Sequence, residues 1–296
     1  MRVVRLRAAG GPEQIAVAEA DRPQPGRGEA LVRVHAAAIT RGELEWPLDR
    51  LPAIPSYELS GVVEEVGPGV AGVAAGDEVF ALTLFDRDGV AADYTAVPAE
   101  LLAPRPRALS HAESAAIPLP ALTAWQALFD HGRLDAGGRV LIHGAAGSVG
   151  AFAVQLARAA GAHVIGTARV ASRESVLDLG AHEVVDVAER FEDAVGPVDV
   201  VFDTVGGETL RRSSAVLRAG GRLVSVAEDP PDGGVYFIVA PNHDQLRSIA
   251  MQADTGELRP PPVEVYPLTS AREAFARSLE RGRRGKVVLA AVAGGP

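Results

Sequence analysis

Between Glu29 and Ile39 the apolar positions Val32, Val34 and Ala36 alternate with the polar Arg33 and His35, a period of two that predicts a half-buried strand. Further short apolar runs at 3–7, 60–66, 78–82 and 94–97 read as strands. The turns between them are Gly67-Pro68-Gly69, Ala75-Gly76-Asp77 and Asp86-Arg87-Asp88-Gly89. Prolines recur through this stretch up to Pro104 and Pro106, so it reads as β-rich. The texture changes at Ser110, which with Glu113 spells a capping box ahead of an apolar stretch. A second helix over 123–131 is expected to stop at Gly132.

From there strands and helices alternate. Strands are predicted at 139–143, 163–167, 183–186, 199–204, 222–227 and 235–240. Helices are predicted at 148–160, up to Leu179, and at 208–218. In the first of these helices Val149, Phe152, Ala153 and Leu156 share a face, and Gly161 follows as a stop. This rhythm predicts an α/β chain in which a doubly wound parallel sheet follows the β-rich part. The last segment, 243–292, adds two helices and two strands, with Ser270 and Glu273 as another capping box and a final strand from Lys286 to Val292.

At 296 residues with 47% hydrophobic content the chain can bury a full core and is long enough for two domains. Lys and Arg total 29 against 38 Asp and Glu, a net charge of −9, which disfavours nucleic acid and anionic membrane surfaces as partners. The absence of cysteine removes disulfides, thiolate-bound zinc, cysteine-bound iron–sulfur clusters and cysteine nucleophiles. Neither a signal-peptide core nor an uncharged apolar run of about 18 residues occurs, so an intracellular, cytoplasmic chain is expected.

The chemistry concentrates where the predicted strand 139–143 runs into Gly144-Ala145-Ala146-Gly147-Ser148-Val149-Gly150 and a helix opens at once, the context a dinucleotide fingerprint requires. Gly147 would let the backbone approach a pyrophosphate, and Gly150 would let helix and strand pack closely. The first glycine of the strict pattern is replaced by Ala145. The next strand ends in Thr167, Ala168 and Arg169, without the acid that holds ribose hydroxyls in NAD enzymes. Arg169 and Arg173 are candidates to face a 2′-phosphate, which favours NADPH. A rival reading takes Ala146-Gly147-Ser148-Val149-Gly150 as a near-match to a hydrolase nucleophile elbow, with Asp203 and His243 following in hydrolase order. A third is a non-catalytic NADPH-binding or redox-sensing protein.

Taken together, several motifs resemble the zinc-independent quinone oxidoreductase branch of the medium-chain dehydrogenases/reductases. They are Gly61-Val62-Val63-Glu64-Glu65-Val66-Gly67, Gly76-Asp77-Glu78-Val79, Pro118-Leu119-Pro120-Ala121-Leu122-Thr123-Ala124-Trp125, the loop 143–150, Asp203-Thr204-Val205-Gly206-Gly207 and Arg284-Gly285-Lys286-Val287-Val288. The resemblance spans nearly the whole chain. It implies a GroES-like β-barrel domain over 1–117, completed by 241–296, and a Rossmann domain over 118–240, with the active site in the cleft between them. It also implies that Thr123, Val205 and Phe237 line the nicotinamide pocket.

Zinc-dependent relatives carry Gly-His-Glu where this chain has Ser56, Tyr57 and Glu58, so Tyr57 replaces a histidine ligand and no catalytic zinc is expected. A frequent Asn of the quinone oxidoreductases is Thr40 here. Tyr57 and Thr40 are the candidate hydroxyl donors to an acceptor oxygen. The alternative for Tyr57 is packing at the barrel edge. Without a Lewis acid the expected acceptors are small, hydrophobic and electron-poor, quinones or conjugated enones. Finally, Val235-Tyr236-Phe237-Ile238-Val239-Ala240 is an uncharged run expected at a sheet edge. In the family this resembles, that strand pairs with its copy across a two-fold axis, which implies a homodimer.

Overall fold

The computed structural model describes residues 1–46, 49–231, 233–280 and 282–291. In chain order the strands and helices are β1 (Arg2–Leu6), β2 (Ile15–Glu19), β3 (Glu29–Ile39), β4 (Glu58–Val66), β5 (Glu78–Leu82), β6 (Tyr94–Pro98), β7 (Ala103–Pro104), α1 (His111–Ala115) and α2 (Pro118–Trp125). They continue with β8 (Arg139–His143), α3 (Ser148–Ala159), β9 (His163–Ala168), α4 (Arg173–Asp178), β10 (Glu183–Asp186), α5 (Phe191–Ala194), β11 (Val198–Asp203), α6 (Gly207–Arg212), β12 (Leu217–Ser225) and β13 (Val235–Tyr236). The chain closes with α7 (His243–Asp254), β14 (Val263–Pro267), α8 (Ala271–Leu279) and β15 (Lys286–Ala290).

Two units divide the chain. The first comprises Met1–Leu119, Pro241–Gly256 and Pro260–Pro296; the second, Pro120–Ala240 and Glu257–Arg259. In the first unit the main sheet runs β14-β15-β3-β4-β5-β7, β6 pairs with β3, and β1 and β2 form a separate ribbon. The alternation read in β3 holds: Val32, Val34 and Ala36 are buried, while Arg33 and His35 are partly exposed. Val32 and Val34 join Leu59, Val63, Val79, Val97, Leu102 and Phe275 in one apolar core, whereas Ala36 packs with Ala38, Ala115, Ala116 and Val288.

The second unit is a six-stranded parallel sheet in the order β10-β9-β8-β11-β12-β13. The order reverses between β8 and β11, which makes a crevice at their carboxyl ends, where ligands of doubly wound folds bind. Leu141, Ile165, Val201 and Leu223 form its core with Phe191 of α5. Among the described residues no helix is long and apolar enough to cross a membrane.

Several sequence expectations are corrected. β2 is an additional strand; only Ile15 of its five residues is buried, so it carries little apolar signal. The expected helix 123–131 begins at Pro118, and residues Gln126–His131 widen into a π-turn. Gly132 still ends it, its N–H reaching the Ala127 carbonyl at 2.9 Å. The expected helix 208–218 stops at Arg212, and β12 begins at Leu217, five residues before the expected strand. Ser270 makes no side-chain cap, because a 3-10 turn over Leu268–Ser270 leads into α8.

The expected strand 235–240 pairs only through Val235 and Tyr236. Beyond them the Phe237 N–H still reaches the Ser225 carbonyl at 3.4 Å, and side chains hold the rest of the run. Phe237 stacks on His131 at 4.4 Å, and the Gln126 amide bonds both the carbonyl (2.8 Å) and the N–H (3.0 Å) of Ala240. Asp232, before that strand, and Val292, the expected end of the last strand, lie outside the described residues.

Two histidines, His143 buried and His111 partly exposed, tie elements together as neutral rings. His143, at the end of β8, sits 3.2 Å from both the Thr167 and the Ser213 hydroxyls, and burial pushes its pKa down to about 3. His111, in α1, meets the Ser60 hydroxyl at 2.8 Å and lies against the His35 ring. Burial, then the neighbouring His35 and Arg105, lower it to about 4. A histidine whose pKa is depressed by folding contributes stability above its unfolded pKa and loses it as the pH falls toward the folded value. Urea denaturation is therefore expected to show stability falling between pH 6.5 and 4, by up to about 1.4 kcal/mol per pH unit from each ring. His111→Asn should flatten that slope, and an unchanged slope would refute the assignment.

Candidate active site

In the second unit, Gly144 follows β8 with φ of 75°, a left-handed conformation that glycine adopts without strain. A Cβ there would meet the Thr204 hydroxyl at 2.4 Å. The loops after β8 and β11 thus touch, and Thr204 donates to the His143 carbonyl at 2.8 Å. Gly150 is equally constrained, since its Cβ would stand 2.2 Å from the Gly144 carbonyl oxygen, so α3 can lie against the loop only with glycine there. The departure at Ala145 has its compensation in β9. Ala145 is buried, and its methyl fills the space that Gly166 leaves open.

Gly147 leads into α3 with no side-chain cap, so the first-turn N–H groups of Ser148, Val149 and Gly150 have no partner within the helix. A pyrophosphate suits such a terminus, through these donors and the helix dipole. The Ala145 N–H is already committed to the Thr167 carbonyl (3.1 Å) and that of Gly147 to Gly144 (2.9 Å). Ala146 lies partly exposed between them.

Thr167 is buried, its hydroxyl accepting from the Gly144 N–H at 3.3 Å, so it shapes the loop from beneath. Ala168 ends β9, and Arg169 just beyond it is exposed. Arg173 is also exposed, with its guanidinium donating to the Val184 carbonyl. Of the expected nicotinamide residues, Thr123 is buried in α2, Phe237 is half-buried against His131, and Val205 is 56% exposed at the end of β11. Asp203 shapes the Val205 turn by accepting from the N–H groups of Val205 (3.3 Å) and Gly206 (2.9 Å) and the Ser225 hydroxyl (3.0 Å). Its carboxylate is thereby occupied, and His243 Nδ1 bonds the Leu102 carbonyl at 2.8 Å, which leaves the hydrolase reading without an oriented triad.

The first unit contributes a buried polar cluster. Lys286, the first residue of β15, pairs with Glu58, the first of β4, at 2.5 Å; Lys286 is 4% and Glu58 1% exposed. Lys286 also donates to the Thr40 hydroxyl at 2.8 Å, and that hydroxyl donates to Glu58 at 3.0 Å. The second Glu58 oxygen accepts the Leu119 N–H at 2.9 Å. Thr40 therefore directs its proton to Glu58.

Tyr57 is 1% exposed, its ring between Trp46 and Phe85. Its hydroxyl oxygen accepts from Arg50 at 3.2 Å. Burial raises its pKa, partly offset by Arg50, so the phenol keeps its proton at neutral pH. Leu44 is buried beside this cluster's turn, Trp46 exposed and Leu84 partly exposed, giving the region an apolar lining.

Sequence reasoning passed over Lys286, Glu43 and Ser56. Lys286 follows Thr40 by 246 residues, a separation no local pattern spans. Its signal was an isolated lysine opening an apolar strand.

Removing one partner of a buried ion pair leaves the other charge uncompensated. Lys286→Met is therefore expected to cost about 3–5 kcal/mol in urea denaturation. Adding Glu58→Gln should recover much of it. Additive losses in the double variant would show the two residues to be independent.

Residues 26–107 match the family model described as "Alcohol dehydrogenase GroES-like domain", and residues 179–289 the one described as "Zinc-binding dehydrogenase". A zinc ion does not suit the residues present: Tyr57 offers a phenol, Glu58 is committed to Lys286, and among the described residues no three His, Asp or Glu side chains converge. The chain is 34% identical to 2-methylene-furan-3-one reductase of Solanum lycopersicum, over 90% of this chain and 73% of that one. It is 31% identical to quinone oxidoreductase of Sus scrofa, over 98% and 97%. The solved quinone oxidoreductase of Coxiella burnetii superposes with a TM-score of 0.90 at 27% identity, covering 99% of both chains. With its GroES-like and Rossmann folds, its glycine loop and these relatives, the chain belongs to the quinone oxidoreductase-like branch of the medium-chain dehydrogenase/reductase superfamily, a family of NAD(P)-binding oxidoreductases.

Proposed function

We propose that this oxidoreductase uses NADPH to reduce a quinone or an α,β-unsaturated carbonyl compound without a metal ion. The observation that carries the reading is the donor set of the first unit. It comprises a buried phenol at Tyr57, a hydroxyl at Thr40 and an ammonium at Lys286, with no convergent metal ligands among the described residues. Such donors favour acceptors already activated by conjugation, and the names of the tomato and pig relatives, an enone reductase and a quinone oxidoreductase, support that class.

NADPH, when bound, supplies the hydride. The α3 terminus would hold it, with Gly147 and Ala146 admitting the pyrophosphate and Arg169 meeting the adenosine 2′-phosphate. Thr123, Val205 and Phe237 would border the nicotinamide. As hydride adds to the acceptor carbon, negative charge develops on its oxygen. Tyr57 donates its hydroxyl hydrogen bond there, Arg50 holding the phenol oxygen from the other side. Thr40 gives its proton to the acceptor only by releasing Glu58. A solvent proton completes the reduction.

The test follows NADPH oxidation across quinones, enones and saturated aldehydes. Turnover with the first two and none with the third is expected; turnover confined to simple aldehydes would overturn the reading. NADPH should bind at least about ten-fold tighter than NADH, about 1.4 kcal/mol, and Arg169→Asp should erase that preference. Equal affinities in the wild type would count against the nucleotide assignment.

The proposal includes a homodimer through the sheet edge, where Tyr236 is 42% and Ile238 70% exposed and, among the described residues, no strand covers β13. Light scattering at micromolar concentration should give twice the 30.7 kDa of one chain, falling to one chain on Ile238→Pro. A wild-type mass of a single chain removes the dimer.

A further inference from the structure

The turn after β3 and the segment before β4 are joined by a buried acid that the reaction scheme above does not use. Glu43 is 1% exposed. One of its carboxyl oxygens accepts the Ser56 N–H at 3.1 Å and the Ser56 hydroxyl at 3.2 Å, and the other accepts the Thr40 N–H at 3.0 Å. Ser56 is itself unusual. It is fully buried with φ of 64°, the left-handed region, where a residue bearing a Cβ is strained. Its carbonyl accepts the Val90 N–H at 2.7 Å, so all three of its polar groups are fixed, two of them by Glu43. The next two residues are Tyr57 and Glu58.

We propose that Glu43 is a positioning residue of the acceptor site: its carboxyl group clamps Ser56 in the left-handed conformation and the Thr40 amide beside it. This keeps Tyr57, Glu58, Thr40 and Lys286 in the arrangement that receives the acceptor. The inference rests on the reading that these residues face the acceptor, and it extends that reading from the donors to the frame that aims them.

Two further observations fit. Burial pushes the Glu43 pKa up to about 8, against its hydrogen bonds and Lys286, so at neutral pH the clamp adds no second negative charge beside Glu58. Gly89 packs so closely that a Cβ on it would stand 2.1 Å from the Ser56 carbonyl oxygen, which leaves the Ser56 backbone no room to relax on that side.

The decisive experiment pairs Glu43→Ala with Ser56→Gly in the full chain, because glycine adopts the left-handed conformation without a clamp. Glu43→Ala is expected to lower kcat on the best acceptor at least ten-fold and to lower the Tm, with NADPH affinity unchanged. Adding Ser56→Gly should restore at least three-fold in kcat and part of the lost Tm. If Glu43→Ala does not fold, Glu43→Gln replaces it; this variant keeps an acceptor toward Ser56 and loses the one toward Thr40, so a smaller fall in kcat at unchanged NADPH affinity is expected.

Wild-type kcat in a folded Glu43 variant, or no recovery by Ser56→Gly, would overturn the proposal. If the wild type reduces no quinone or enone, the functional reading fails, while recovery of Tm by Ser56→Gly still decides whether the clamp exists.

Discussion

One buried ion pair closes the first unit. Lys286 opens β15 and Glu58 opens β4, so their contact ties the C-terminal return of the chain to a strand laid down far earlier. A buried pair is tolerable only where every remaining donor and acceptor is satisfied. Glu58 meets that condition by taking the Thr40 hydroxyl on one oxygen and the Leu119 N–H on the other. A single carboxylate thereby fixes the end of β3, the start of β4, the start of β15 and the first turn of α2. The residues proposed to meet the acceptor follow from that closure, since Tyr57 directly precedes Glu58 and Thr40 directly follows β3.

The second unit solves a different problem, bringing backbone within reach of a ligand. Its constraint is steric: Gly150 against the Gly144 carbonyl, Gly144 against Thr204, and Gly166 against Ala145. Each close approach removes a Cβ where one strand or helix must touch the next. The loss of a glycine at Ala145 is therefore harmless only because β9 offers Gly166 opposite. The pattern departs from the strict fingerprint by moving a glycine from the loop to the neighbouring strand.

What was legible in the sequence follows from the range of the forces involved. The alternation through Val32, Val34 and Ala36 and the Ser110–Glu113 box are local, and both stand in the structure. The glycine loop is local too, and its motif came with its strand and helix. Ser270 spelled the same box as Ser110 but lost it to the turn before it, because a cap depends on the backbone entering the helix as well as on residue type. The run 235–240 carried the apolarity of a strand, yet Gln126 and His131 compete for its backbone and ring from 114 and 106 positions away. Glu43 carries no signal of its own in the sequence, and nothing nearby announces its buried contacts. Its partner Ser56 is separated by 13 residues, and its need for a clamp arises from a positive φ that serine does not advertise.

The charge of the buried cluster bears on what it can do. Glu58 and Lys286 cancel, and burial keeps Glu43 protonated at neutral pH. The network around Thr40 is therefore close to neutral despite two carboxyl groups within it, while the Arg50 guanidinium adds a positive charge at the Tyr57 hydroxyl. A site built this way sets the Arg50 charge behind the Tyr57 hydroxyl, where it would favour a developing oxyanion. Its selectivity must come from hydroxyl groups held at fixed positions, so the rigidity of their backbone becomes part of the chemistry. Ionising Glu43 would place a net negative charge beside those hydroxyls. A neutral clamp is accordingly the form compatible with the proposed acceptor, which would gain negative charge as it is reduced.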